Sequence, residues 1–251
     1  MVGAKEAYKD YYVGQENAIG GNDRFSWVSD FFLNGVSGKN ILDVGCGEGS
    51  LLKILKDKGN SVSGIEASET GQQACKKKRI ECFSVDISRE RFPFEDEAFD
   101  IVTCLEVIEH VENPYQALCE IKRVLKPGGK LIISIPNPRS MHAYIYPGLF
   151  DFEAFQQFLQ QGGFFVQQRK GWGQTGMFNA WRCKLSGSKS SLGRLVAQFI
   201  YYLNRKRNAF FRNYLGTPEM YCHCLSYICI KTGNDVDQLV AVAKETKPVK
   251  G

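Results

Sequence analysis

The chain has 251 residues, of which 43% are hydrophobic and 24% charged. That balance holds enough apolar mass for a sizeable core, which excludes a disordered or collagen-like polymer and fits an ordinary soluble globular protein. The formal net charge of +5 is mild, so it admits an anionic partner without requiring one. The length falls between one domain and two; because α/β folds often run to roughly 250 residues as one unit, one domain with an insertion is the starting expectation. The opening MVGAKEAYKD carries charges where a signal core would be apolar, and no uncharged apolar run approaches the roughly 18 residues that span a bilayer. The expected location is therefore cytoplasmic. Nine cysteines, an odd number scattered without a Cys-x-x-Cys pair, read as reduced thiols packed as small hydrophobes. Cys222-His223-Cys224 offers metal-ligand residue types, but a zinc site normally needs a second pair at finger-like spacing, and the three read as alternating strand positions.

In chain order, Asp23–Asn34 reads as a helix with Phe25, Val28 and Phe32 on one face. Residues 41–136 then repeat one theme, a short apolar β-rich run, a turn and a helical pattern, which is the signature of a parallel sheet covered by helices. The predicted strands are Asn40–Val44, Ser61–Ile65, Glu81–Val85, Phe99–Cys104 and Lys130–Ile135. Leu51–Lys58, Thr70–Arg79 and Asn113–Leu125 are the predicted helices between them. Asn113-Pro114 places a capping residue before a proline suited to the first turn, and Pro127-Gly128-Gly129 stops that helix. Asp151–Gln161 follows as a helix, Phe164–Arg169 as a strand and Met220–Lys231 as an alternating last strand. The long stretch before that strand holds Leu192, Leu195, Val196, Phe199, Ile200 and Leu203 at amphipathic helical spacing, with Ser186–Ser191 as a polar lead-in. The expected organisation is an N-terminal helical cap (1–37), a core (38–170 and 219–233), an inserted lid or substrate segment (171–218) and a polar tail (234–251).

Ile41–Ser50 carries the clearest chemistry: a buried strand ending in a glycine-rich turn, Gly45-Cys46-Gly47-Glu48-Gly49, that opens a helix. Glycines allow a sharp turn and close approach to a ligand, and the helix N-terminus offers unpaired N–H groups. A dinucleotide fingerprint fails because its third glycine would fall on Ser50, and no Gly-Lys-Ser/Thr follows to make a phosphate loop. Two further carboxylates stand at predicted strand ends, Glu66 after the second and Asp86 after the third. A carboxylate there can accept two hydroxyl donors at once, with the strength of charged hydrogen bonds. Taken singly, each residue also has a plain structural reading: turn glycines, a local cap at Asp86, a solvated strand end at Glu66.

The Asp-x-Gly-x-Gly-x-Gly spacing from Asp43 resembles motif I of the class I S-adenosylmethionine-dependent methyltransferases. Phe92–Asp100 and Leu125-Lys126-Pro127-Gly128-Gly129 are similar to that family's fourth- and fifth-strand signatures, so the resemblance covers about residues 38–137. It implies a doubly wound, mostly parallel seven-stranded Rossmann-like sheet, to which the residues themselves add an aromatic-rich helical insertion before the last strand. It also implies S-adenosylmethionine as cofactor. By that resemblance Asp43 meets the ammonium of the amino-acid part, directly or through water, Glu66 takes the ribose hydroxyls, and Gly45, Cys46, Gly47 and Ala67 are further cofactor-binding residues. Asp86 and Ile87 hold the adenine, and Leu105 lies against the methionine. Arg24, or a tyrosine among Tyr8, Tyr11 and Tyr12, would reach the cofactor carboxylate.

Methyl transfer from a sulfonium is an in-line displacement with an excellent leaving group, so alignment supplies much of the catalysis, and a base is needed only when the nucleophile carries a proton of high pKa. The candidate base is His110 in Leu105-Glu106-Val107-Ile108-Glu109-His110, at the mouth where open α/β sheets bind ligands. If 106–110 is one helical turn, Glu106, Glu109 and His110 share a face and could take a divalent metal with His142. The segment resembles the Glu-x-x-Glu-His metal motif of small-RNA 2′-O-methyltransferases and ubiquinone-pathway O-methyltransferases; it also resembles many members with no known metal, and no metal is the expectation. Trp172, Met177, Phe178, Trp181, Tyr201, Tyr202, Phe210, Phe211 and Tyr214 crowd the insertion, and Arg205-Lys206-Arg207 follows its helix. They read as a lid helix over the core or, in a sharper reading, as an interfacial element meeting a lipid-like acceptor or an anionic membrane. The central region resembles the type 11 and ubiquinone-pathway O-methyltransferases most, which implies a small-molecule acceptor methylated on oxygen. The alternatives are an RNA 2′-O-methyltransferase, disfavoured by the modest charge, and a fold that binds the cofactor without catalysis.

Overall fold

The computed structural model describes residues 21–137, 151–172, 192 and 224–232. Along the chain they form α1 (Gly21–Phe32), β1 (Asn40–Val44), α2 (Ser50–Asp57), β2 (Ser61–Ile65), α3 (Glu69–Lys77), β3 (Glu81–Phe83) and β4 (Phe99–Leu105). A 3-10 turn (Ile108–His110), α4 (Pro114–Val124), β5 (Leu125–Pro136), α5 (Phe152–Gln161), β6 (Phe164–Trp172) and β7 (Cys224–Lys231) complete the series. The seven strands make one sheet in the order β3-β2-β1-β4-β5-β7-β6. Pairing is parallel from β3 to β5, while β7 runs antiparallel to both β5 and β6. The predicted doubly wound, mostly parallel sheet is therefore present, with its single reversed strand between β5 and β6.

Helices cover both faces, and this explains why β4, β5 and β7 read as near-continuous apolar runs rather than alternating ones. On one face Leu42, Val44, Val102, Leu131 and Ile133 pack with Leu118, Ile121 and Val124 of α4 and Phe155 and Phe158 of α5. On the other, Ile41, Ile101 and Ile132 meet Leu51 and Leu55 of α2 and Trp27, Val28 and Leu33 around α1. Period-two alternation within β1 thus sorts its side chains between two cores. Phe25 and Phe32, predicted to share a face with Val28, lie partly buried against the second of these cores.

Caps fix where the helices begin. Ser68 accepts from the Gly71 amide at 3.1 Å, Asn113 from Gln116 at 3.2 Å and Asp151 from Ala154 at 2.6 Å, each bond contributing about 1 kcal/mol. Two boundaries differ from expectation for identifiable reasons. Strand β5 begins at Leu125 rather than Lys130, because Leu125 is buried and pairs with Phe99; Pro127-Gly128-Gly129 then forms an irregularity inside the strand, after which Ile101 pairs with Lys130. Strand β3 stops at Phe83 because the chain turns at Asp86, whose carbonyl accepts the amides of Arg89 and Glu90. Apart from Gly171, Trp172 and Leu192, the predicted insertion, including its amphipathic helix and basic cluster, lies outside the described residues, as do Cys222 and His223. Among the described residues no helix is long and apolar enough to cross a membrane.

The segment leading into β4 is pinned by a charged clamp. Arg123 donates to the carbonyls of Phe92 and Phe94 and to Glu120, while Glu120 accepts the Phe92 amide at 2.8 Å. The hydrogen bond from Arg123 is the main reason why the Glu120 carboxyl is held below its ordinary value. Removing Arg123 leaves a mostly buried carboxylate and two carbonyls without their donor. We expect Arg123→Ala to lower unfolding stability by about 2 kcal/mol in urea titrations, the cost of a broken buried pair softened by partial exposure. Because the folded-state value is depressed, this contribution is present above the ordinary glutamate value of about 4.3 and disappears as pH falls through the folded-state value. Glu120→Gln should accordingly flatten the acid limb of the stability profile.

Candidate functional site

The chain passes from β1 outward through β2 and β3, then returns to place β4 on the other side of β1. The carboxyl ends of β1 and β4 are therefore a topological switch point, where open α/β sheets bind ligands. The glycine loop leaves β1 at this point. Gly45 has φ 73°, and an added Cβ would run into both methyls of Val107, so only glycine permits this close crossing. The amides of Gly45 and Cys46 both donate to the Ile65 carbonyl, at 2.8 and 3.0 Å, tying the loop to the end of β2. Gly49, also left-handed, precedes α2 and supplies no side-chain cap, so nothing from its own side chain covers the first-turn amides of that helix.

Glu66 follows β2 and is 6% exposed. Its Oε2 accepts the Gly47 amide and its Oε1 the Ser68 amide, both at 2.8 Å. Each oxygen keeps further acceptor capacity, so the carboxylate can bind two hydroxyls while still holding both loops. Ala67, between these anchors, is half-buried. Asp43, within β1, is 3% exposed and accepts the Thr103 hydroxyl at 2.6 Å. Thr103 had no sequence signal of its own; its position in β4 directly beside Asp43 is a matter of register.

Asp86 is half-buried, and its Oδ1 accepts the Ser88 amide at 3.0 Å while its own amide donates to Glu90. It thus performs the local capping task that a strand-end aspartate can perform. Ile87 and Leu105 are buried in the two separate cores. Cys46 contributes backbone to the loop, but its Sγ lies beneath it, 3.8 Å from Cys75 and 3.7 Å from Cys82. Within this thiol group, hydrogen bonds from the Cys46 and Cys82 thiols and the nearby Lys78 ammonium bring Cys75 down to about 4, while Cys46 is pushed up. Burial pushes up Cys104 as well, with the Glu109 and Asp43 carboxylates adding to it.

The 106–110 segment differs from one helical turn. Glu106 has φ 55° and stands before the 3-10 turn of Ile108–His110, held by its amide donating to Ser134 at 3.0 Å. A left-handed non-glycine residue is uncommon, and such residues cluster at functional sites. Glu109 is fully buried; His110 is partly exposed, with Nε2 3.7 Å from Glu109 Oε1. Among the described residues the group whose ligand atoms gather within 4.8 Å is Cys46, Cys75 and Cys82, not Glu106, Glu109 and His110. Arg24 stands in α1. His142 and Tyr8, Tyr11 and Tyr12 lie outside the described residues.

Because Glu66 holds the Gly47 and Ser68 amides, Glu66→Gln replaces one acceptor oxygen by a donor facing an N–H. Hydrogen exchange at Gly47 or Ser68 should quicken by about tenfold, the loss of a charge-assisted bond of roughly 1.5 kcal/mol. Exchange in β5 should be unchanged.

A family described as a methyltransferase domain matches residues 42–133, the segment from β1 through most of β5. The "Ubiquinone biosynthesis O-methyltransferase" of Pseudomonas paraeruginosa is 36% identical over 128 residues, covering 49% of this chain and 54% of that protein. The protein of the same name from Alkalilimnicola ehrlichii is 37% identical over 120 residues, covering 45% and 48%. The chain thus spans about half the length of these relatives. Among solved structures, a SAM-dependent methyltransferase from Archaeoglobus fulgidus superposes with TM-score 0.60 at 18% identity, covering 88% of this chain and 99% of that one. The [4+2]-cyclase SpnF does so with TM-score 0.55 at 20% identity, covering 84% and 80%. The sequence match and the switch-point geometry fall on the same stretch of chain: residues 42–133 are similar to a methyltransferase domain, and the fold around them is the one that the Archaeoglobus fulgidus enzyme shares.

Proposed function

We propose that this protein transfers a methyl group from S-adenosylmethionine to an oxygen of a small-molecule acceptor by in-line displacement. The observation that carries the reading is the buried Glu66 carboxylate at the end of β2, fixed by the Gly47 and Ser68 amides with acceptor capacity left for two hydroxyls. The donor set fits the cofactor. Glu66 accepts the ribose diol, with Ala67 beside it. Asp43, oriented by Thr103, meets the ammonium of the amino-acid part, and the backbone of Gly45–Gly47 lets that part approach. Asp86 and Ile87 flank the adenine, and Leu105 closes the methionine side. Arg24 in α1 is the carboxylate partner in this reading. When bound, the cofactor supplies an electrophilic methyl on a sulfonium; the protein's own work is to align it and keep water away.

The choice of oxygen follows the O-methyltransferases that the chain resembles over about half their length. His110, at the mouth beyond β4, is the group to accept the acceptor's proton, and the buried Glu109 carboxylate beside it stabilises the imidazolium that results. The fold by itself does not fix the reaction, since SpnF is a [4+2]-cyclase on a similar framework.

Titration calorimetry of the full chain tests the reading. S-adenosylmethionine and its demethylated product should bind with micromolar affinity, and Glu66→Ala should weaken both by about 1–3 kcal/mol, roughly fivefold to 150-fold. Absence of heat and of any thermal shift with either compound would overturn it. Once an acceptor is found, His110→Ala should lower kcat by roughly a hundredfold or more while cofactor affinity stays the same. A variant with unchanged kcat would remove His110 from the chemistry.

A further inference from the structure

The underside of the glycine loop holds a second constellation, which shares Cys46 and Gly47 with the loop of the proposed cofactor site but is built from different atoms, the Cys46 sulfur and the Gly47 carbonyl. Cys46 comes from the loop, Cys75 from α3 and Cys82 from β3, so three different elements bring their sulfurs to one point. Cys46 Sγ lies 3.8 Å from Cys75 Sγ and 3.7 Å from Cys82 Sγ, and all three sulfurs fall within 4.8 Å of one another. Zinc–thiolate bonds of about 2.3 Å in a tetrahedral shell put their sulfurs about 3.8 Å apart, so two edges of the triangle already have the required length. The Gly47 carbonyl oxygen stands 3.4 Å from Cys75 Sγ and 3.8 Å from Cys46 Sγ. A tetrahedral oxygen donor would lie about 3.6 Å from each sulfur. Three thiolates and a carbonyl would therefore surround one ion without moving the backbone far.

We propose that Cys46, Cys75 and Cys82, with the Gly47 carbonyl as fourth donor, form a binding site for a divalent thiophilic ion of the zinc class. The surroundings suit a soft closed site. Leu52, Ile80 and Val62 pack around the sulfurs, and Cys46 and Cys75 are buried while Cys82, half-buried, gives access from outside. Binding holds all three sulfurs as thiolates and releases to solvent the protons that the thiols still carry, so three thiolates and one divalent cation leave a net charge of −1 on the cluster. Lys78, whose ammonium donates to the Glu48 carbonyl at 2.5 Å, supplies the balancing positive charge. The ion would cross-link the loop, α3 and β3, and it does not depend on the methyltransferase reading being correct.

The test uses the full chain, reduced and freed of metal, titrated with zinc against a chromophoric chelator and with cadmium in the ultraviolet. One ion should bind per chain, and cadmium should raise a thiolate charge-transfer band. Cys75→Ser and Cys82→Ser should each weaken zinc binding by at least about tenfold. Cys119→Ser and Cys222→Ser should leave it unchanged. Since Cys75→Ser alters a buried position, wild-type protein supplies an independent readout: alkylation and peptide mapping should find Cys46, Cys75 and Cys82 protected together by zinc and released together by chelator. No binding, binding that survives in both folded variants, or protection of other cysteines in place of these three would each overturn the proposal.

Discussion

One buried carboxylate sets the relation between two loops that come from different parts of the sheet. Glu66 accepts an amide from the glycine loop after β1 and another from the turn into α3, and these bonds fix the two loops relative to each other. A charged acceptor held by two amides in a buried setting is expensive to displace, because either oxygen would lose its donor without gaining water. The rest of the region is arranged around that requirement. Ser68 caps α3 through Gly71, and a Cβ at Gly71 would come to 2.8 Å from both Glu66 Cγ and Ser68 Oγ and to 2.9 Å from the Gly47 carbonyl. The helix can begin where it does only because that position carries no side chain.

Most of the framework was legible because the apolar runs and helical patterns alternate regularly and are punctuated by turn and cap residues. β1, β2 and β4 fall within a residue of their expected bounds, and the α4 start follows from Asn113 and Pro114. What escaped was set by pairing rather than by local pattern. The start of β5 at Leu125 depends on Phe99 across the sheet, and no local signal reports that partner. Thr103 reads in sequence as an ordinary β-branched strand residue, and only register places it against Asp43. Glu106 resists a helical reading because the strand–strand bond from its amide to Ser134 commits it to a backbone region that Glu rarely occupies. The carboxylate pattern at the strand ends was visible, yet its division of labour was not. Glu66 bridges loops, Asp43 receives a hydroxyl, and Asp86 caps its own turn.

The three thiols beneath the loop show a different limit of sequence reading. Cys46, Cys75 and Cys82 have no metal-ligand spacing, and as separate residues they look like small core hydrophobes. The parallel crossover from β1 through α2 to β2, and then through α3 to β3, stacks the three elements side by side and converges the sulfurs. Convergence of this kind is a property of topology, so spacing rules built on zinc fingers do not anticipate it.

Gly47 is the residue at which the two constellations meet. Its amide donates to Glu66 on one side, and its carbonyl stands against Cys75 and Cys46 on the other. Whatever fixes one side of this residue narrows the conformations open to the other, because a glycine between two anchors loses the freedom that would otherwise let the loop adapt. If both sides favour the same geometry, their binding energies couple positively and reciprocally; if they favour different ones, each weakens the other by the same factor. The loop after β1 is thus better described as a hinge plate held from above by a carboxylate and from below by sulfur than as a flexible glycine turn. Its rigidity comes from contacts supplied by β2, α3 and β3 rather than from its own sequence.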